Sequence, residues 1–61
     1  MTDFEVRFKD IESKEVLLKL ENQSFLPNLS DTINIDGINY KVVNRVIAYA
    51  KNRVIIFLRE L

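Results

Sequence analysis

The chain of 61 residues has no cysteine, no histidine and no tryptophan, and a single glycine and a single proline. Each absence removes a class of behaviour. Without cysteine there is no disulfide, and without cysteine and histidine the common zinc sites are gone as well. Imidazole general acid–base work, thiol chemistry and the Ser-His triad are excluded with them. One glycine cannot build a phosphate-cradling loop. No apolar run nears the roughly 18 residues of a membrane span, and the opening "MTDFEVRFKD" lacks the basic and apolar regions of a signal peptide, so a cytoplasmic protein without membrane contact is expected.

What is present is 48% apolar and 30% charged residues, an ordinary globular composition. The length allows one domain over 1–61, near the limit at which a single core offsets chain entropy. With no covalent or metal staple available, a dense core or association with another chain must supply the difference. The formal net charge is zero, but residues 1–37 carry −4 and residues 38–61 carry +4. Such asymmetry guides the orientation of an association.

Along the chain, "DFEVRFKD" alternates Phe4, Val6 and Phe8 with charged residues, the period of a strand with one buried face. "EVLLKLE" sets Val16, Leu18 and Leu20 on one face, with Leu17 off the pattern, and a hairpin with the first strand follows. Residues 22–31 form a loop around the only proline, and its Phe25, Leu26 and Leu29 are expected to cover one end of the core. "TINIDGINYKVV" is the strongest local signal: Asp36-Gly37 suits a type I′ turn, placing Ile35 opposite Ile38 and Ile33 opposite Tyr40 with Val42 on the same face. The last third admits two patterns. A helix over 42–61 would align Val43, Ile47, Ala50, Val54, Phe57 and Leu61, giving an α+β fold. Seven β-branched aliphatic residues between Val42 and Ile56 favour two strands about "AKN" instead. The expected architecture is all-β: a small five-stranded antiparallel barrel with strands 3–9, 15–21, 32–36, 38–48 and 53–60.

The stretch "LPNLSDTINIDGINYKVVNRVIAYAKNRVIIFLREL", chiefly "INIDGINYKVV" and the final apolar strand, resembles the later strands of small SH3-like β-barrel proteins found as short, mostly uncharacterised reading frames in bacteria and their phages. The resemblance covers about 36 of the 61 residues and implies a fold, with no catalytic residues to carry over. The resemblance is one of fold rather than function; the expected setting is a phage or bacterial accessory protein that binds a host or partner protein. With no Trp and no "ALYDY"-like segment, the proline-rich-peptide groove of signalling SH3 domains is not expected, and one glycine fits poorly with the RNA-binding KOW motif.

No active site, cofactor or metal is expected; Asp10, Glu12 and Glu15 read as a solvated polar turn rather than a cation site. The final strand, "RVIIFLREL", is apolar on both faces: Val54, Ile56 and Leu58 close the core, while Ile55 and Phe57 point away from it. With Val43 and Ile47 they would form an exposed patch, rimmed by Arg53 and Arg59, that binds a partner protein or a second copy as a homodimer. The alternative from another class is a single-stranded RNA or DNA binder using Lys41, Arg45, Tyr49, Arg53 and Arg59.

Overall fold

The computed structural model describes residues 4–23 and 26–61. Five strands, β1 (Phe4–Asp10), β2 (Val16–Gln23), β3 (Thr32–Ile35), β4 (Ile38–Ala48) and β5 (Arg53–Glu60), form one sheet in the order β2-β1-β5-β4-β3. The sheet curls into a half-barrel. The expected opening of the first strand at Asp3 and the covering role of Phe25 lie outside the described residues.

Each element has a local cause. β1 alternates as its sequence requires, burying Val6 and Phe8. Its turn into β2 is tied by the Asp10 carboxylate, which accepts the Ser13 N–H at 2.9 Å, and by Ser13 Oγ, which accepts the Glu15 N–H. The irregular Leu17 of the sequence is a β-bulge: Phe8 pairs with Leu18 but Lys9 with Val16, so Leu17 is the extra residue, and it still packs against the core. β3 and β4 pair as expected, Ile33 with Tyr40 and Ile35 with Ile38, about a turn in which Asp36 (φ 52°) and Gly37 (φ 84°) both take the left-handed conformation of a type I′ hairpin. Asn34 Oδ1 accepts the Gly37 N–H, and Asn34 Nδ2 donates to Asn39 Oδ1, fastening the hairpin's outer side. With one glycine available, the other left-handed positions fall to Lys14, Asn22, Ser30 and Asn52.

The helix alternative for 42–61 is overturned. β4 and β5 are strands joined by a 3-10 turn over Tyr49–Lys51 that Asn52, at φ 52°, reverses. Asparagine tolerates that conformation, and the β-branched residues on either side resist a helix.

The sheet differs from an all-antiparallel closed barrel in one pairing. β1 runs parallel to β5, with Val6 opposite Val54 and Phe8 opposite Ile56. A parallel pair needs a long connection between its strands, and residues 11–52, which contain three other strands, provide it. The sheet is therefore mixed, and β2 and β3 remain its two edges. β2 carries a bulge at Leu17, a left-handed Asn22 and the charges of Lys19 and Glu21, and β3 has only four residues. These features discourage pairing with another chain.

The core lies on the concave side. Val6, Phe8, Tyr40, Val42, Val54, Ile56 and Leu58 are buried, with Ile56 and Leu58 at 0% exposure, and Leu18, Leu20, Leu26, Ile33 and Ile35 pack against them. Leu26 thus covers the core as expected, whereas Leu29 is exposed. The inner row of the final strand is as its alternation demands.

Candidate functional site: the convex face of the sheet

The outward side chains of a sheet share a face with the residues directly opposite them on neighbouring strands. Across the strands, one row runs Lys19, Arg7, Ile55, Val46. The next runs Val16, Lys9, Phe57 and then Val43 with Asn44, and the last pairs Arg59 with Lys41 and Lys41 with Thr32. Glu5, Arg53 and Ala48 form the row at the opposite end. Apolar side chains occupy the middle and cations the margin.

The composition of the apolar row depends on a bulge in β4. Val42 pairs with Leu58, but the next partner, Phe57, takes Asn44, so Val43 is an inserted residue. One extra residue reverses every later side chain. Val46 then stands opposite Ile55 on the convex face, while Ile47 stands opposite Val54 on the concave side, where it borders an apolar hollow of about 220 Å³ with Phe4, Leu26 and Ala48. Regular alternation through Val43 places Ile47, not Val46, on the outer face with Ile55. Val43, Ile55 and Phe57 do come together, and Val46 is the member that alternation missed. Asn44 marks the spot, its Oδ1 accepting the Arg45 N–H at 2.9 Å.

Phe57 is half-covered. Lys14, from the β1–β2 turn, places its Nζ 5.4 Å from the centre of the ring while donating to the Ile11 carbonyl at 2.8 Å. The Ile11 N–H in turn donates to the Leu58 carbonyl, which ties that turn to β5. Ile55 lies between Val46 and Arg7, and Phe57 has Lys9 on its β1 side. The long stems of such cations shield apolar surface while their charged ends reach water. The outer row is thus partly covered by the protein's own cations.

The basic residues gather on this face. Arg7, Lys9, Lys19, Lys41, Arg53 and Arg59 occupy outward positions and Lys14 reaches over Phe57, seven of the chain's nine lysines and arginines. Glu5 and Glu21 are the acidic residues on these strands' outward positions among the described residues. The opposite charges of the two chain halves do not become opposite ends of the fold, because the β1–β5 pairing interleaves Arg7 and Lys9 with the basic C-terminal strands. Of the residues weighed for nucleic acid, Lys41, Arg53 and Arg59 belong to this face. Arg45 follows the bulge to the concave side, where its Nη1 donates to the Pro27 carbonyl at 3.3 Å, and Tyr49 is 87% exposed on the 3-10 turn.

The Glu5 end carries its own counter-ion. Its carboxylate accepts a hydrogen bond from Arg53 Nε, with Arg7 Nε at 3.2 Å and Lys19 Nζ at 3.3 Å. Desolvation works to raise the Glu5 pKa, but the hydrogen bonds from Arg53 and Lys19 and the charges of Arg7 and Arg53 outweigh it, and the carboxyl lies below its ordinary value. Asp10 is also held low, chiefly by the backbone N–H of Ser13. Among the described residues no group of three or more acidic side chains is placed to hold a metal ion, and no helix is long and apolar enough to cross a membrane. The face offers apolar contacts and charge.

No protein-family model, curated protein or solved structure matches the chain.

Proposed function

We propose that the protein is a non-enzymatic binding module that docks a partner protein on its convex face. The supporting observation is the arrangement there: Val43, Val46, Ile55 and Phe57 in the middle, with Arg7, Lys9, Lys41, Arg53 and Arg59 around them. An apolar centre within a charged rim is the anatomy of protein interfaces. Val46, at 42% exposure, is fractionally the most exposed of the four. A second copy is a poorer occupant than an acidic chain, because the face carries seven cations against Glu5 and Glu21 among the described residues, and two faces of that net charge repel whatever their relative orientation. The reading is of a monomer that meets a different chain.

A second reading, single-stranded nucleic acid, has the contiguous run of Lys9, Arg59 and Lys41 in its favour. Against it, the centre is mainly aliphatic, its one ring, Phe57, is half-covered by Lys14, and Tyr49 lies beyond Arg53 at the end that holds Glu5. Base stacking wants exposed aromatic rings.

The test is affinity capture from the cells that make the protein, with wild type and Val46→Asp in parallel and thermal unfolding as a folding control. A partner retained by the wild type and lost by the variant is expected. Equal capture by both overturns the proposal, and so does binding of labelled oligothymidylate that survives Val46→Asp and falls steeply with salt.

A further inference from the structure

Lys41 and Arg59 stand directly opposite each other on β4 and β5, both exposed. Like charges in that relation repel. The same relation occurs once more on the face, between Arg7 and Lys19, and there Glu5 lies between the two cations at 3.2 and 3.3 Å. Lys41 and Arg59 have no carboxylate partner among the described residues. The neighbouring acids are engaged or turned away. Asp31 accepts the Asn28 N–H, Asp10 accepts the Ser13 N–H, and Glu60 stands opposite the inward-facing Tyr40. One end of the face carries its own counter-ion, and the other lacks one.

We propose that Lys41 and Arg59 form a carboxylate-binding subsite, taking an aspartate or glutamate of an acidic partner protein whose apolar side chains cover Phe57, Val43 and Val46. This rests on the reading of the convex face as a protein-docking surface. The partner's carboxylate would occupy the place relative to Lys41 and Arg59 that Glu5 occupies relative to Lys19 and Arg7. Charge complementarity selects an acidic chain, and Lys9, beside Phe57 and without an ion-pair partner among the described residues, extends the demand for negative charge along the same margin. The apolar rung next to the pair selects protein over a phosphodiester backbone, because a polynucleotide running along β5 would cross Ile55 and Phe57 and then meet Glu5 and Glu21. From Arg59 to Arg53 is about 20 Å of strand, long enough for an amphipathic segment to place apolar residues on the centre and acids at the Lys41–Arg59 end.

Two probe peptides test this: amphipathic helices with the same leucine stripe, one flanked by glutamates and the other by glutamines, each titrated into the intact protein by fluorescence anisotropy and amide chemical shifts. The glutamate peptide is expected to shift Lys41, Val43, Phe57 and Arg59 and to bind about tenfold or more tighter than the glutamine peptide. The double variant Lys41→Glu, Arg59→Glu is expected to lose that preference and to favour a lysine-flanked peptide instead. Equal binding of the two peptides, with both weakened by Val46→Asp, overturns the carboxylate subsite and leaves the docking face standing. Binding unaffected by Val46→Asp, or no binding of either peptide, overturns both. Oligothymidylate that displaces the glutamate peptide overturns the choice of protein. A fall in the thermal midpoint of Lys41→Glu reveals an internal counter-ion and equally overturns the subsite.

Discussion

Lys14 holds its ammonium 5.4 Å from the centre of the Phe57 ring, and it does so from a left-handed backbone position with φ 65°. A non-glycine residue in that conformation costs roughly 1–2 kcal/mol, while a cation over an exposed ring returns about 0.5–1 kcal/mol. Strain and contact sit in one residue, and two substitutions separate them. Lys14→Ala keeps the strain and loses the contact, so urea unfolding should show a loss of about 0.5–1 kcal/mol. Lys14→Gly loses the contact but relieves the strain, and should lie within about 0.5 kcal/mol of wild type or above it. Equal destabilisation by both would remove strain from the account.

Replacing Lys41 by glutamate turns a repulsive cross-strand pair into an attractive one. The expected gain is about 0.2–1 kcal/mol, seen as a higher thermal midpoint at low ionic strength and a smaller gain at high salt. Arg59→Glu should behave alike, and the two together should not add, since the pair becomes like-charged again.

The two faces of β5 predict opposite sensitivities. Ile56→Ala empties a site of 0% exposure and should cost about 2–5 kcal/mol. That is a large part of the total stability expected for so short a chain, on the order of 3–9 kcal/mol. Circular dichroism should show a largely unfolded protein at physiological temperature. Val46→Ala, on the half-open convex face, should change stability by about 0.5 kcal/mol or less.

Acid should weaken the fold through Glu5. Its folded pKa lies below the ordinary 4.5, so the unfolded chain binds more protons as pH falls through that value. The stabilisation is complete above about 4.5 and is lost as pH drops through the lower folded pKa. In Glu5→Gln the acid limb of urea midpoint against pH should flatten, leaving the contribution of Asp10, whose carboxyl is also held low. An unchanged acid limb would place the sensitivity elsewhere. At neutral pH the same variant should be less stable than wild type, since Arg7, Lys19 and Arg53 lose the carboxylate between them.

The parts of this fold that were legible in the sequence are those set by neighbours in the chain. Asp36-Gly37 specifies a turn by its own backbone preference, the turn sets the pairing of Ile33 with Tyr40, and β4 and β5 end where expected, at Ala48 and Glu60. What could not be read depends on partners far away or on one inserted residue. The parallel pairing of β1 with β5 joins residues such as Glu5 and Arg53, which local alternation does not relate. A bulge has no residue signature, so the one at Val43 exchanged Val46 for Ile47 in the outer row. Leu17 did break the alternation visibly, and that break is its bulge. The cover over Phe57 lay in a turn whose polar residues gave no hint of its reach.

The strand at the centre of the sheet is the last of the five to be synthesised. Until β5 emerges, the hairpin of β1 with β2 and the hairpin of β3 with β4 share no hydrogen bonds between them, and Val6, Phe8, Tyr40 and Val42 lack the row that joins them into a core. Folding must wait for the final strand, and a nascent chain halted before Arg53 would present two separate hairpins with open apolar faces to whatever holds it.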